Sequence, residues 1–197
     1  MSTTIKSSLL ILFFLSLSPS VFAHADAETL RGGFFSGFMH PLSGLDHIVA
    51  MVAVGLWGVF LGKPAIWVLP IVFPLVMAFG GALGVIGVDI PAIETGIALS
   101  GIVLGLAVAF AVKPPLWVAA IIVGAFAIFH GHAHGTELPN ATSPLVFSVG
   151  FVVATGLLHL AGIAFGELAR WSWGEKVVRI AGVGIAGIGS AFLMGVL

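Results

Sequence analysis

Seven histidines, as many as the lysines and arginines together, lie mostly within stretches that are otherwise almost free of charge. The densest group is His40-Pro41-Leu42-Ser43-Gly44-Leu45-Asp46-His47. Read as one helix, His40 and His47 are two turns apart and share a face, with Asp46 beside them. Imidazole and carboxylate together form a ligand set for a divalent transition metal. Asp46 can either ligate the ion or orient an imidazole from behind. Pro41 withholds a hydrogen bond from the Gly37 carbonyl, which predicts a kink and a free acceptor beside the histidines.

A second group is Phe129-His130-Gly131-His132-Ala133-His134-Gly135-Thr136-Glu137. If the helix continues, His130 and His134 stand one turn apart and can chelate one ion. If Gly131 and Gly135 unwind it, His132 turns inward instead. Glu137 adds a carboxylate. The bland alternative is a solvated histidine-rich loop. Three isolated residues complete the candidate set. His159 can be a ligand or a helix–helix hydrogen bond, and Glu94 a ligand or a partner of a helix dipole. His24 would pair its imidazole with a free amine if processing made it N-terminal.

The elements that must position these groups follow from composition. The chain is 59% hydrophobic and 8% charged over 197 residues, against about 25% charged in soluble domains. Such a chain cannot cover a water-exposed globule, and lipid is its natural solvent. A net charge of −1 gives no reason to expect nucleic acid. The absence of cysteine excludes disulfides and thiolate sites. No Walker motif is present, so this chain does not hydrolyse ATP.

Residues 1–23 read as a signal peptide: Lys6, the apolar run Leu9 to Leu17, and Val21-Phe22-Ala23 ahead of the cleavage point. An uncleaved first span is the other reading. Residues 24–197 then form a single all-α, polytopic transmembrane domain. About six helices are expected, over roughly 34–61, 65–88, 92–112, 115–134, 144–170 and 175–197. Lys63, Lys113, Arg170, Lys176 and Arg179 all fall in the first, third and fifth connections. The positive-inside rule therefore places both mature termini outside the cytoplasm. Gly58/Gly62, Gly80/Gly84 and Gly101/Gly105 are small-residue pairs suited to close helix packing, although so glycine-rich a chain produces some by chance. At about 1.5 Å per residue, His40 and His130 fall at one depth, with His47 and His159 below them. A 3+3 inverted repeat is suggested by the two histidine-bearing helices that open the halves.

The signal peptide, HPLSGLDH with the following Met51 and Gly55, and FHGHAHGTE at 129–137 resemble the HupE/UreJ family of bacterial membrane proteins. The resemblance covers essentially the whole mature chain. It implies secondary transport of nickel, and of cobalt as a second cargo, from periplasm to cytoplasm across the inner membrane to supply hydrogenase or urease. By motif it carries the metal residues His40, Asp46, His47, His130, His132, His134 and Glu137. Ligand chemistry alone leaves Zn2+ and Cu2+ open as cargo. It also leaves open an intramembrane metalloenzyme, a metal-sensing accessory subunit or a proton relay. A homo-oligomer is compatible with everything above.

Overall fold

The computed structural model describes residues 27–137 and 143–197, with side-chain surroundings from residue 32 onward. The expected signal peptide and His24 lie outside the described residues. The described chain is all-helical: α1 (Ala27–Ser43), α2 (Leu45–Leu61), α3 (Ala65–Val85), α4 (Ile93–Ala109), α5 (Leu116–Thr136), α6 (Pro144–Gly166), a short 3-10 turn (Glu167–Arg170) and α7 (Ser172–Leu193). Four of these, α3, α5, α6 with its 3-10 extension, and α7, are long and apolar enough to cross a bilayer. The bent pair α1–α2 makes a fifth candidate, and α4 is a shorter apolar helix of 17 residues. The third expected span, roughly 92–112, corresponds to α4. At about 1.5 Å per residue it covers roughly 25 Å of a core about 30 Å thick.

Most helix ends fall where turn chemistry places them. The extended Pro115 precedes α5, Pro144 opens α6, and the left-handed Ala92 (φ 56°) precedes α4. The first expected span is the exception. It is not one helix but two, bent by 82° at a break after Ser43. The break sits at Gly44, whose backbone is extended (φ −101°, ψ 118°). Pro41, where a kink was expected, remains inside α1.

Three helix pairings dominate: α3 on α5, α4 on α7, and α6 on both arms of α1–α2. Counted as six apolar segments, these are second with fourth, third with sixth, and fifth with first. Exchanging the two halves leaves that set unchanged, the pattern expected of a repeat. Glycine makes each pairing possible. A Cβ on Gly80 or Gly84 would strike the α5 backbone at Ile128 or His132, and one on Gly150 or Gly162 the backbone at Phe34 or Val52. Gly101 and Gly105 lie against Gly189 and Ala186 of α7. Gly58 instead faces the start of α3 at Ile66, and Gly62 has open space around it, so only the first glycine of that pair meets another helix.

The centre of the bundle is α2, buried on almost every side. Met51, Val54, Leu56 and Trp57 pack with Leu69 and Phe73 of α3, Leu104 and Val108 of α4, Val123 of α5 and Val178 of α7. Trp57 is part of this core, and its indole N–H donates to the Val112 carbonyl at 2.8 Å. The other tryptophans, Trp67, Trp117, Trp171 and Trp173, are exposed near helix ends, where indoles favour the membrane interface. The outward face of α3 presents Trp67, Ile71, Leu75 and Phe79, an apolar surface that suits lipid and not water.

Candidate metal centre

The site forms where α1, α2 and α5 meet. In α5 the helix continues through Thr136, so His130 and His134 share a face. Gly131 and Gly135 do not unwind it. A Cβ on Gly131 would strike the Met77 carbonyl, and one on Gly135 the Gly81 carbonyl. The glycines therefore let α3 approach one side of α5 while the histidines occupy another.

The bend at Gly44 does for α1–α2 what a shared helix face was expected to do. It sends His40 and His47 to the same partner from two different helices. His40 Nε2 lies 2.8 Å from His134 Nδ1 and 3.7 Å from Glu137 Oε2. Ligand atoms of His40, His134 and Glu137 all fall within 4.8 Å of one another, compact enough for modest rearrangement to enclose one ion. The His47 ring centroid is 4.4 Å from that of His134 and 4.7 Å from that of His130, the latter pair perpendicular at 89°. Glycine at 44 is required here as well, because a Cβ would stand 2.7 Å from Asp46 Oδ1 and 3.0 Å from His47 Nδ1.

These contacts set the order His40, His134, His47, His130. His130 thus sits beside His47 and not level with His40, which corrects the depth expected from counting residues. The Phe73 ring follows, 5.6 Å from His130 and 5.5 Å from His159. Exposure changes along the file. Glu137 is open, the His40 side chain is 28% exposed, and His130 is fully buried, as is His159 beyond Phe73. Phe147 and Phe151 wall the open end, Phe151 with its centroid 4.4 Å from that of His134. A cavity of about 320 Å³ between α3, α5 and α6 also reaches His134.

Hydrogen bonding shows what the file lacks. His47 Nε2, His130 Nδ1 and His134 Nε2 are buried without a partner, and outside the file so are both ring nitrogens of His159. Buried polar atoms are nearly always satisfied, and exceptions call for a ligand or another explanation. Asp46 accepts from His47 Nδ1–H at 2.9 Å and occupies the first turn of α2, where the helix dipole favours a carboxylate. No lysine or arginine forms an ion pair with Asp46 or Glu137 among the described residues. With neutral imidazoles, the two carboxylates supply two negative charges, matching a dication.

Three sequence candidates are not brought into this file. His132 is buried, but its ring bonds the Val88 carbonyl at 2.6 Å. Glu94 is exposed in the first turn of α4, with no hydrogen bond or ion pair to the file among the described residues. His159 is separated from it by Phe73. Conversely, Ser100 and Phe73 enter the site although nothing local in the sequence marks them. One serine and one phenylalanine among apolar residues carry no pattern, and only packing brings them to His130.

A membrane-embedded helical bundle with a buried, partly unsatisfied histidine and carboxylate file is the class this architecture defines. The comparisons with known proteins narrow it. The profile described as "HupE / UreJ protein" matches residues 12–192, and the chain belongs to the HupE/UreJ family. It is similar to "Protein HupE" of Rhizobium leguminosarum bv. viciae, at 49% identity over 177 residues, 90% of this chain and 92% of that protein. No solved structure matches.

Proposed function

We propose that this protein is a secondary transporter, and not an enzyme, that imports a divalent transition metal from periplasm to cytoplasm. Nickel is the favoured cargo and cobalt the second, delivered for the maturation of a metalloenzyme such as hydrogenase or urease. The observation that carries this reading is the file of buried imidazoles with unpartnered nitrogens, open at one end and closed at the other. A storage or structural site would keep its ligands together around one ion. A path instead spreads them, so that each position binds well enough to enter and weakly enough to leave.

In this reading the ion loses water to His40, His134 and Glu137 at the mouth. It then meets His47, oriented by Asp46, and His130. His159 lies beyond Phe73 as an inner candidate, while His132, Glu94 and His24 are lesser ones. The signal peptide is removed after Ala23, the mature chain resides in the bacterial inner membrane, and both of its termini are periplasmic. The placement of basic residues supports that orientation.

Radiolabelled nickel uptake into metal-starved cells tests the proposal. Wild type is compared with His47→Ala and His130→Ala at matched membrane abundance. Loss of uptake in both variants is expected. Wild-type uptake in both would exclude the route described.

A further inference from the structure

Ser100 is the one polar side chain of α4 that reaches the histidine file, and it is fully buried. Its hydroxyl has two neighbours: the Ile97 carbonyl at 2.6 Å and His130 Nε2 at 2.9 Å. A serine hydroxyl carries a single proton. Two oxygens 2.6 Å apart in a dry interior need that proton between them, and donation to a carbonyl three or four residues back is the usual habit of a helical serine. The Ser100 proton therefore goes to Ile97, and Ser100 can only accept from His130. Nε2 of His130 carries the ring hydrogen, so Nδ1 of the neutral ring is bare. That Nδ1 atom is buried without a partner.

The same reasoning applies to His47. Its Nδ1 lies 2.9 Å from Asp46 Oδ1, and a carboxylate only accepts. Nδ1 thus holds the hydrogen, and Nε2 is bare, buried and unpartnered. Two imidazoles with opposite tautomers, each fixed from behind, stand perpendicular with centroids 4.7 Å apart.

We propose that Ser100 is a positioning residue that holds His130 as its Nε2–H tautomer, so that His130 Nδ1 and His47 Nε2 form an inner two-imidazole station for the divalent cation, beyond the His40–His134–Glu137 mouth. Metal-binding histidines characteristically donate their other ring hydrogen to an oxygen, which fixes tautomer and aim. Here the oxygens belong to Ser100 and Asp46. His134, whose Nε2 is also unpartnered and whose ring adjoins both His40 and His47, links the mouth to the station. This inference rests on the metal-import reading above.

The test uses the full-length protein in lipid nanodiscs, labelled with 15N-histidine and titrated with Zn2+ as a diamagnetic probe. Signals are assigned through His47→Asn and His130→Asn variants. The metal-free protein should show His130 as the Nε2–H form and His47 as the Nδ1–H form. Zn2+ should then move the His130 Nδ1 and His47 Nε2 resonances. Ser100→Ala should release His130 into a mixture of tautomers and lower the nickel uptake rate about tenfold, within the range seen when a ligand's supporting partner is lost. Ser100→Thr keeps the hydroxyl and should restore both readouts, which a purely packing role would not require. Zn2+ shifts confined to His40 and His134, or an Nδ1–H form of His130, would overturn this inference and leave the import reading standing. If Zn2+ moves no imidazole and wild-type cells take up no nickel, both fail.

Discussion

Replacing Gly131 with alanine tests whether the packing of α3 on α5 sets the geometry of the site. The added methyl would strike the Met77 carbonyl oxygen and stand 2.8 Å from the Met77 carbonyl carbon and 2.9 Å from the Gly81 nitrogen. Non-bonded carbons prefer about 3.5–4.0 Å, so the helices must separate locally by about 1 Å. These are backbone atoms and cannot rotate away. Overpacking of this kind costs about 1–3 kcal/mol. The larger effect should be on function, because Gly131 lies directly beside His130 and one turn from His134. Metal sites tolerate errors of only about 0.2 Å in ligand distance. Nickel uptake should therefore fall at least tenfold at equal membrane abundance, a magnitude comparable to disturbing a ligand's support. Apparent Tm in detergent should fall as well. The control is Gly156→Ala in α6, where an added Cβ meets nothing within 4 Å; this variant should transport normally. Wild-type uptake and Tm in Gly131→Ala would refute the claim that this contact positions the histidines.

The structure separates two histidines that lie one residue apart on either side of Ala133. His134→Ala should abolish uptake, whereas His132→Ala, which loses only its bond to Val88, should retain most of it; uptake assays at matched expression decide, and equal loss in both would count against the assignment. Metal binding needs neutral imidazole and protonation competes with it, so uptake should decline as the external medium is acidified. Uptake that stays constant however far the medium is acidified would argue against imidazole ligation at the mouth. Trp57→Phe keeps most of the ring volume but removes the donor to the Val112 carbonyl, and should cost about 0.5–1.5 kcal/mol. It should be visible as a lower apparent Tm, with uptake little changed.

Residue type and local order already carried much of this architecture. Lys63-Pro64, Lys113-Pro114-Pro115 and Pro144 mark helix boundaries because proline cannot continue a hydrogen-bond ladder, and the structure turns at each of them. The Glu167–Arg170 ion pair is likewise local, between residues three apart. The break at Gly44 was not. Helix and extended backbone are both open to glycine, and the choice depends on α1 and α2 packing against α6. Depth counted along an ideal helix placed His130 with His40. The bend invalidated that count, and His130 pairs with His47 instead.

The sequence by itself determined the solvent and the chemistry. So apolar a chain must satisfy its backbone internally, which in lipid favours helices. Histidines and acids placed within such helices are too costly to be incidental. Only the tertiary structure decided which of them act together. His40 meets His134 across 94 positions of chain, His132 turns away to Val88, and Ser100 and Phe73 join the file from helices with no motif of their own. The physical reason is that a ligand set is made by helices approaching one another. That approach depends on glycines meeting backbone carbonyls on remote segments, a complementarity that no local window contains.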